Sequence, residues 1–394
     1  MTKLTTKRDS LESLLNSEHL VEIEKMAIGG DGVARIPFDD KSLVVFVGKS
    51  APGDQLKIKI TAVEKNYLNG IILQIMKPGD SRREPPCIYA NRCGGCSWQQ
   101  LTEDEQIHQK ELLLKELFKK FLPLMKYDLL PTVRSPKSFH YRNRIQLKHQ
   151  DNLLGYFQEK SHHIVDIDAC LIADQRISDE IPKIKQSLKP SGPSVVKYEL
   201  KISEDNVFGY NRIGEKGQGL SFAQVNTEMN TLLQNHITNL VTAIQPKTIS
   251  ELYAGAGNFT IDLAKKLPLA QIEAAELNPE LTIAAVKKLT ELKLQKRLSF
   301  FTADCDAFVK RRPLSQDLIL VDPPRQGCSE VVIDKIAAAS TKNFLYISCH
   351  PVSLLRDLKK LRLEQSGYQI VSLQIYDMFP QTDHFETVIL LTKA

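Results

Sequence analysis

Glu251-Leu-Tyr253-Ala-Gly255-Ala-Gly257-Asn258-Phe259 is the stretch that decides the fold. With Ile249 and Ser250 ahead of it, a short apolar strand runs straight into a Gly-x-Gly turn and then into helix-forming sequence. Glycines at such a turn let the main chain come close to a ligand at the head of the following helix. The next apolar run ends in Glu276, 19 residues after Gly257. A carboxylate at that distance can hold two ribose hydroxyls.

Working outward, the region after residue 247 alternates apolar strands with helical segments. Strands are expected at 249–253, 272–276, 298–302, 318–321 and 344–347, with a helix at 281–292 among them. That rhythm is the signature of a doubly wound α/β, Rossmann-like domain, which binds ligands at the carboxyl ends of its strands. The segments 369–375 and 387–392 have no helix between them, so an antiparallel hairpin is expected at the sheet edge. The nicotinamide form of the glycine turn wants a third small residue where this chain has Thr260, so the pattern favours S-adenosylmethionine. Asp304 ends the third strand, placed to sit beside an adenine or to cap the next helix.

Three further segments fall at strand ends of the same sheet: Asp322-Pro-Pro-Arg325-Gln-Gly327, Ser348-Cys349-His350-Pro351, and Asp377-Met-Phe-Pro-Gln-Thr-Asp-His384-Phe-Glu386. Singly, Asp322 reads as a turn-former before proline, Glu386 as a solvated strand opener, and Cys349 as a small buried residue. Together they bring a thiol and carboxylates to one mouth beside a sulfonium methyl donor. Uracil C5 is a poor nucleophile until a thiolate adds at C6, after which it can take a methyl group and a base can remove the C5 proton.

Upstream, residues 1–16 read as a polar lead-in. Residues 17–78 carry short strands broken by Gly29-Gly30-Asp31-Gly32 and Pro52-Gly53-Asp54, the pattern of a small closed β-barrel of OB-like type. A helix is expected at 101–121, with Thr102 and Glu105 as a capping box. A β-rich central domain is expected over 79–225, and a helix at 226–244 leads into the last domain, 226–394. Between residues 134 and 149 there are Arg134, Lys137, Arg142, Arg144 and Lys148, no acid, and the rings of Phe139 and Tyr141. The segment reads either as a strand with charged edge protection or as a phosphate-contacting ribbon with rings for base stacking.

Cys87, Cys93, Cys96 and Cys170 form a set that could hold zinc or a [4Fe-4S] cluster, and spacing alone leans toward zinc because C-x2-C is its commonest setting. Seven cysteines, an odd number, do not suggest a disulfide framework. The chain has 394 residues, too many for one core, and its 52 basic and 47 acidic residues leave a charge of +5, too mild to imply nucleic acid by itself. No apolar run of membrane-spanning length or signal-peptide segment is present, so no membrane association and a cytoplasmic location are expected.

Taken with their order, these motifs resemble the S-adenosylmethionine-dependent RNA (uracil-5-)-methyltransferases, in particular the iron–sulfur branch acting on 23S ribosomal RNA. The resemblance spans nearly the whole chain. It implies a TRAM domain for the barrel, a [4Fe-4S] cluster on Cys87, Cys93, Cys96 and Cys170, and RNA as partner, with no obligate protein partner evident. Ser221-Phe-Ala-Gln224-Val-Asn226 is similar to the motif whose glutamine reaches the cofactor and target region. Tyr253, Gly255, Gly257, Asn258, Glu276, Asp304 and Asp322 fall on cofactor-binding positions, Cys349 on the nucleophile and Glu386 on the proton-accepting base. His350 stands where the family usually has Asn. The alternatives are a transfer RNA uridine, cytosine C5, and an iron–sulfur RNA-binding protein without catalysis.

Overall fold

The computed structural model describes residues 11–203, 205–214 and 224–393, apart from the side chain of Glu364. The chain divides into two compact units. The first comprises the described residues of Met1–Leu113, Ser138–Arg212 and Phe379–Asp383, and the second those of Leu114–Lys137, Ile213–Met378 and His384–Ala394. Neither unit is one continuous stretch of sequence, and the barrel and the central β-rich region share a unit.

In the first unit, strands β1 (Glu18–Glu22), β2 (Lys25–Met26), β3 (Gly32–Phe38), β4 (Lys41–Val47), β5 (Gln55–Val63) and β6 (Tyr67–Lys77) form a sheet in the order β1-β5-β6-β4-β3-β2. Its two ends are one stretch of chain. β1 pairs with β5, Ile23 exchanges backbone hydrogen bonds with Gly53 and Asp54, and β2 pairs with β3, so residues 18–26 close the barrel. Alternation puts Ala34, Ile36, Val45, Val47, Leu56, Ile58 and Ile60 into its core.

The second sheet of this unit has five antiparallel strands in the order β10-β9-β8-β11-β12: β8 (Arg144–Gln150), β9 (Leu153–Phe157), β10 (Ile164–Asp166), β11 (Val196–Ile202) and β12 (Phe208–Arg212). Ile177, Ile181 and Ile184, at helical spacing on helix Gln175–Ser187, share its core with Ile145, Leu147, Leu154 and Leu200. Of the segment 134–149, read as a charged strand or a phosphate-contacting ribbon, only the last part is a strand. β8 starts only at Arg144, because His140 takes a positive φ of 55° and breaks the extended run. Phe139 packs half-buried against the core, and Tyr141 is buried with its hydroxyl donating to the Pro380 carbonyl, so the Tyr141 ring is not presented for base stacking. Arg144 is mostly buried beside Glu199. Arg134 and Lys137 are exposed.

The helices, numbered along the chain, are α1 (Glu103–Phe121), α2 (Gln175–Ser187), α3 (Thr227–Ile244), α4 (Thr260–Lys266), α5 (Pro279–Glu291), α6 (Cys305–Arg311), α7 (Glu330–Ala338), α8 (Pro351–Lys360) and α9 (Leu363–Ser366). The Thr102 hydroxyl caps α1 by accepting from the Glu105 N–H, and Asn226 caps α3 by accepting from Met229 N–H.

The second unit is built on an eight-stranded sheet in the order β15-β14-β13-β16-β17-β19-β18-β7. Its strands are β7 (Leu129–Val133), β13 (Thr248–Leu252), β14 (Gln271–Glu276), β15 (Leu298–Thr302), β16 (Leu318–Val321), β17 (Asn343–Ser348), β18 (Tyr368–Tyr376) and β19 (Glu386–Lys393). Strands β13 to β17 are parallel and β19 runs antiparallel between β17 and β18. The last hairpin is therefore not the edge. β7, drawn from 129–133, pairs in parallel beyond β18 and takes that place. The order reverses between β13 and β16, so a crevice is expected at their carboxyl ends. Leu252 and Val321 end the two strands, with Tyr253 and Asp322 next in sequence.

Candidate active site

The turn after β13 adopts left-handed backbone at three positions, Tyr253 (φ 62°), Gly255 (φ 57°) and Gly257 (φ 82°). At Gly257 a side chain has no room: its Cβ would lie 3.0 Å from Ile261 and 3.1 Å from Phe300. At Gly255 the reverse holds, since nothing lies within 4 Å of the position a Cβ would take. Open space beside exposed main chain at the topological switch point is a cradle for a ligand. Glu276 borders it. One carboxylate oxygen accepts from Gly255 N–H at 2.9 Å and the other from Asn278 N–H at 2.7 Å. Each oxygen keeps a lone pair for a ribose hydroxyl.

Asn258 and Asp304, also expected at the cofactor, each make hydrogen bonds within the protein. The Asn258 amide faces α3, where its carbonyl accepts from Asn230 and Gln234 and its NH2 donates to Asn230. Asp304 is the N-cap of α6 and accepts from Ala307 N–H at 3.1 Å. Gln224 is half-buried just before the cap of α3, and Ser221–Ala223 of its motif lie outside the described residues.

Cys349 follows the last residue of β17 and precedes α8, whose first turn begins at Pro351. The Ser348 hydroxyl brackets it, accepting from His350 N–H and donating to the His350 carbonyl. His350 is the N-cap of α8, held by Ser353, the part a short polar side chain would play there. Ser353 Oγ in turn donates to the Arg325 carbonyl at 2.6 Å. The loop carrying Asp322 is fixed from the same helix: Asp357, buried, accepts from Cys328 N–H and Tyr346 hydroxyl, and Arg356 donates to the Gln326 carbonyl. The Arg325 guanidinium lies 3.3 Å from the ring nitrogens of His384. Of the segments expected to converge, 322–327 is thus tied to the start of α8 after Cys349, and to His384 of the segment 377–386.

Sheet register brings the three positions together: Ser348 pairs with Thr387, next to Cys349 and Glu386, and Val321, before Asp322, pairs with Tyr346. Burial first, then Glu386 and Asp322, push the half-buried Cys349 thiol up to about 12, and Arg325 opposes them. Burial and Asp322 push Glu386 well above the carboxylate range, and burial raises Asp322. Glu386 is 2% exposed and its Oε2 has no hydrogen-bond partner. Glu251, the residue before the end of β13, is 1% exposed, hydrogen-bonded by Thr260 at Oε2 and orphaned at Oε1. The sequence reading passed over Glu251 as a strand residue; an acid inside a fully buried parallel strand was the available signal.

In the other unit, Cys87, Cys93, Cys96 and Cys170 line one small cavity with Tyr156 and Gln99 on its wall. Gly95 N–H points at the Cys93 sulfur at 3.3 Å, and the Tyr156 hydroxyl lies 3.8 Å from that of Cys170. Burial pushes the thiols of Cys93 and Cys96 up to about 11 and about 12, while the charges of Lys49 and Arg142 respectively work in the opposite sense. Soft donors, sulfur-directed N–H groups and adjacent cations suit a metal–sulfur group. Among the described residues no three His, Cys, Asp or Glu side chains gather tightly enough to hold a single metal ion. No described helix is long and apolar enough to cross a membrane.

Comparison with known proteins matches this arrangement. The family model for tRNA (Uracil-5-)-methyltransferase matches residues 193–394, and that for the TRAM domain matches residues 12–73. An uncharacterized RNA methyltransferase of Bdellovibrio bacteriovorus is 38% identical over 98% of this chain and 98% of its own. One from Thermosynechococcus vestitus is 28% identical over 95% of this chain and 98% of its own. Among solved structures, the tRNA (uracil-54, C5)-methyltransferase of Pyrococcus abyssi in complex with S-adenosyl-L-homocysteine shares the fold, with a TM-score of 0.73 at 22% identity, 95% of this chain and 100% of that one being covered. The chain is an RNA methyltransferase and belongs to the RNA uracil-5-methyltransferase family, with a class I methyltransferase fold and an N-terminal TRAM domain.

Proposed function

We propose that this protein methylates C5 of a uridine in 23S ribosomal RNA, with S-adenosylmethionine as donor and Cys349 as a transient covalent catalyst. The observation that carries the reading is the placement of Cys349 beside Glu386 and Asp322 at the carboxyl end of the sheet. In this reading Cys349, as thiolate, bonds to C6 of the uracil and the C5=C6 π pair moves onto the ring as an enolate. S-adenosylmethionine, when bound, supplies an electrophilic methyl group to C5. Glu386 then takes the C5 proton, the enolate re-forms, and its collapse expels the Cys349 thiolate. Glu386 must be ionised to take that proton; burial strengthens it as a base, and the positive charge of the bound donor favours its ionised form. The neutral thiol must first give its proton to solvent; Arg325, the amino end of α8 and an incoming cationic donor all favour the thiolate. Asp322 and Gln224 would orient the uracil edge.

The cradle at Gly255, Glu276 and Tyr253 would hold the donor. Cys87, Cys93, Cys96 and Cys170 would hold a [4Fe-4S] cluster. Four sulfurs about 2.3 Å from one zinc would stand within ~4 Å of each other, whereas the larger cluster reaches sulfurs spread round a cavity. Nothing in the net reaction needs an electron, so the cluster shapes the RNA-binding unit. The name of the matching family model favours transfer RNA as a second reading.

The test compares 5-methyluridine positions in ribosomal and transfer RNA from cells with and without the gene, alongside iron and sulfide content of anaerobically purified protein. Loss of one or more 5-methyluridines from 23S RNA, with about four irons per chain, is expected. Loss confined to transfer RNA, or zinc in place of iron, would overturn the corresponding part.

A further inference from the structure

Glu251 is 1% exposed at the switch point, one residue before the end of β13. Its Oε2 accepts from the Thr260 hydroxyl at the head of α4, while its Oε1 has no partner. A buried carboxyl oxygen left without a partner is costly and calls for one that arrives later. Asp322, following β16, is the charged group that faces it. Glu386 faces Asp322 in turn, Cys349 faces both, and Arg325 is the cation acting on that thiol. Three carboxyls, at or next to the ends of β13, β16 and β19, therefore act on one another, and two of them, Glu251 and Glu386, carry an orphaned buried oxygen.

Resting on the donor assigned above, we infer that Glu251 is the counter-ion that senses the positive charge of the methyl donor, so that donor binding expels a proton and the uncharged thioether product is held less tightly. The balance is simple. In the free protein burial raises Glu251 to about 8, so at neutral pH the carboxyl carries a proton. An incoming sulfonium favours the anion, and the proton leaves to solvent. Methyl transfer removes the sulfonium charge, the carboxyl takes a proton back, and the attraction that held the donor is gone. Thr260 tunes the point of exchange, since its hydrogen bond lowers the Glu251 pKa. The sign follows: donor affinity rises with pH up to about 8 and levels off above, where Glu251 is already ionised.

The experiment is calorimetric titration of the full-length protein with S-adenosylmethionine and with S-adenosylhomocysteine, in buffers of different ionisation enthalpy, at pH 7 and pH 9.5. At pH 7 the wild type is expected to release more protons with the sulfonium than with the thioether, and the difference should vanish at pH 9.5. Glu251→Gln should retain both ligands, release up to one proton fewer with the sulfonium, and bring the two affinities about ten-fold closer. Thr260→Val, which leaves Glu251 in place, should move the proton release to higher pH. Equal release by wild type and Glu251→Gln, or by the two ligands at pH 7, would overturn the inference while leaving the donor assignment standing. Absence of binding by either ligand to the wild type would overturn the donor assignment and this inference together.

Discussion

Glu386, one residue before the Thr387 that pairs with Ser348, opposes ionisation of Cys349: after burial, its carboxylate is the strongest influence holding the thiol up at about 12. The free protein therefore keeps its nucleophile protonated until a substrate or a cation changes the site. kcat/KM, which reports the free enzyme, is expected to climb steadily from pH 7 to pH 9, by roughly ten-fold per unit while the thiolate is the limiting species. A pH–rate profile already flat at pH 7 would show that the thiol is ionised before substrate arrives.

Glu386→Gln is expected to cut turnover by about 10²- to 10⁴-fold, the usual worth of a positioned proton acceptor. Because the thiol would still attack C6 while the C5 proton stays in place, protein–RNA adduct should accumulate on ordinary uridine RNA. Denaturing electrophoresis of a single-turnover reaction reads this directly. Lost turnover with no adduct would mean that Glu386 acts before bond formation.

The two turn glycines should fail differently. Gly255→Ala places a methyl group in open space at a φ of 57°, so the backbone strain should cost about 1 kcal/mol with no clash, while the affinity for S-adenosylhomocysteine falls ten-fold or more. Gly257→Ala forces a Cβ against Ile261 and Phe300 at a φ of 82° and is expected to cost about 1–3 kcal/mol of stability. Ligand titration and denaturant unfolding of both variants separate the two effects.

Gln381 anchors the Phe379–Asp383 segment inside the first unit. Fully buried, it takes hydrogen bonds from Arg83 and Gln106 on its side-chain oxygen, and its backbone carbonyl accepts from Trp98 N–H at 3.0 Å. Gln381→Ala removes the acceptor shared by Arg83 and Gln106, while the Gln106 amide keeps the Trp98 and Leu101 carbonyls, so it should cost about 1–2 kcal/mol, seen as a lower urea midpoint. A loss below 0.5 kcal/mol would mean that the segment is held by its backbone bonds alone.

Legibility in the sequence followed the strength of local patterning. The runs 298–302 and 318–321 are strands with those bounds, and β13, β14 and β17 differ by a residue or two, because parallel strands buried on both faces read as plain apolar runs. β7 was hidden: Leu129-Leu-Pro-Thr-Val133 carries a proline, which argues against a strand, and only its place at a sheet edge makes that tolerable. Tyr141 and Arg142 looked like a nucleic-acid ribbon because composition cannot show that Tyr141 is spent on the Pro380 carbonyl, a contact 239 residues away in sequence. In the active site, Cys349, Asp322 and Glu386 were visible as motifs at strand ends. The duties of Asn258 toward α3 and of Glu251 toward Thr260 were not, because each depends on which helix packs over the turn.

The most direct test of the central claim uses RNA carrying 5-fluorouridine at the target position. Fluorine at C5 cannot leave as a proton does, so attack by Cys349 followed by methylation should leave a stable protein–RNA bond, and mass spectrometry should place it on the peptide containing Cys349. A preparation that methylates ordinary RNA yet forms no such bond, or a Cys349→Ala variant that still forms one, would contradict the account.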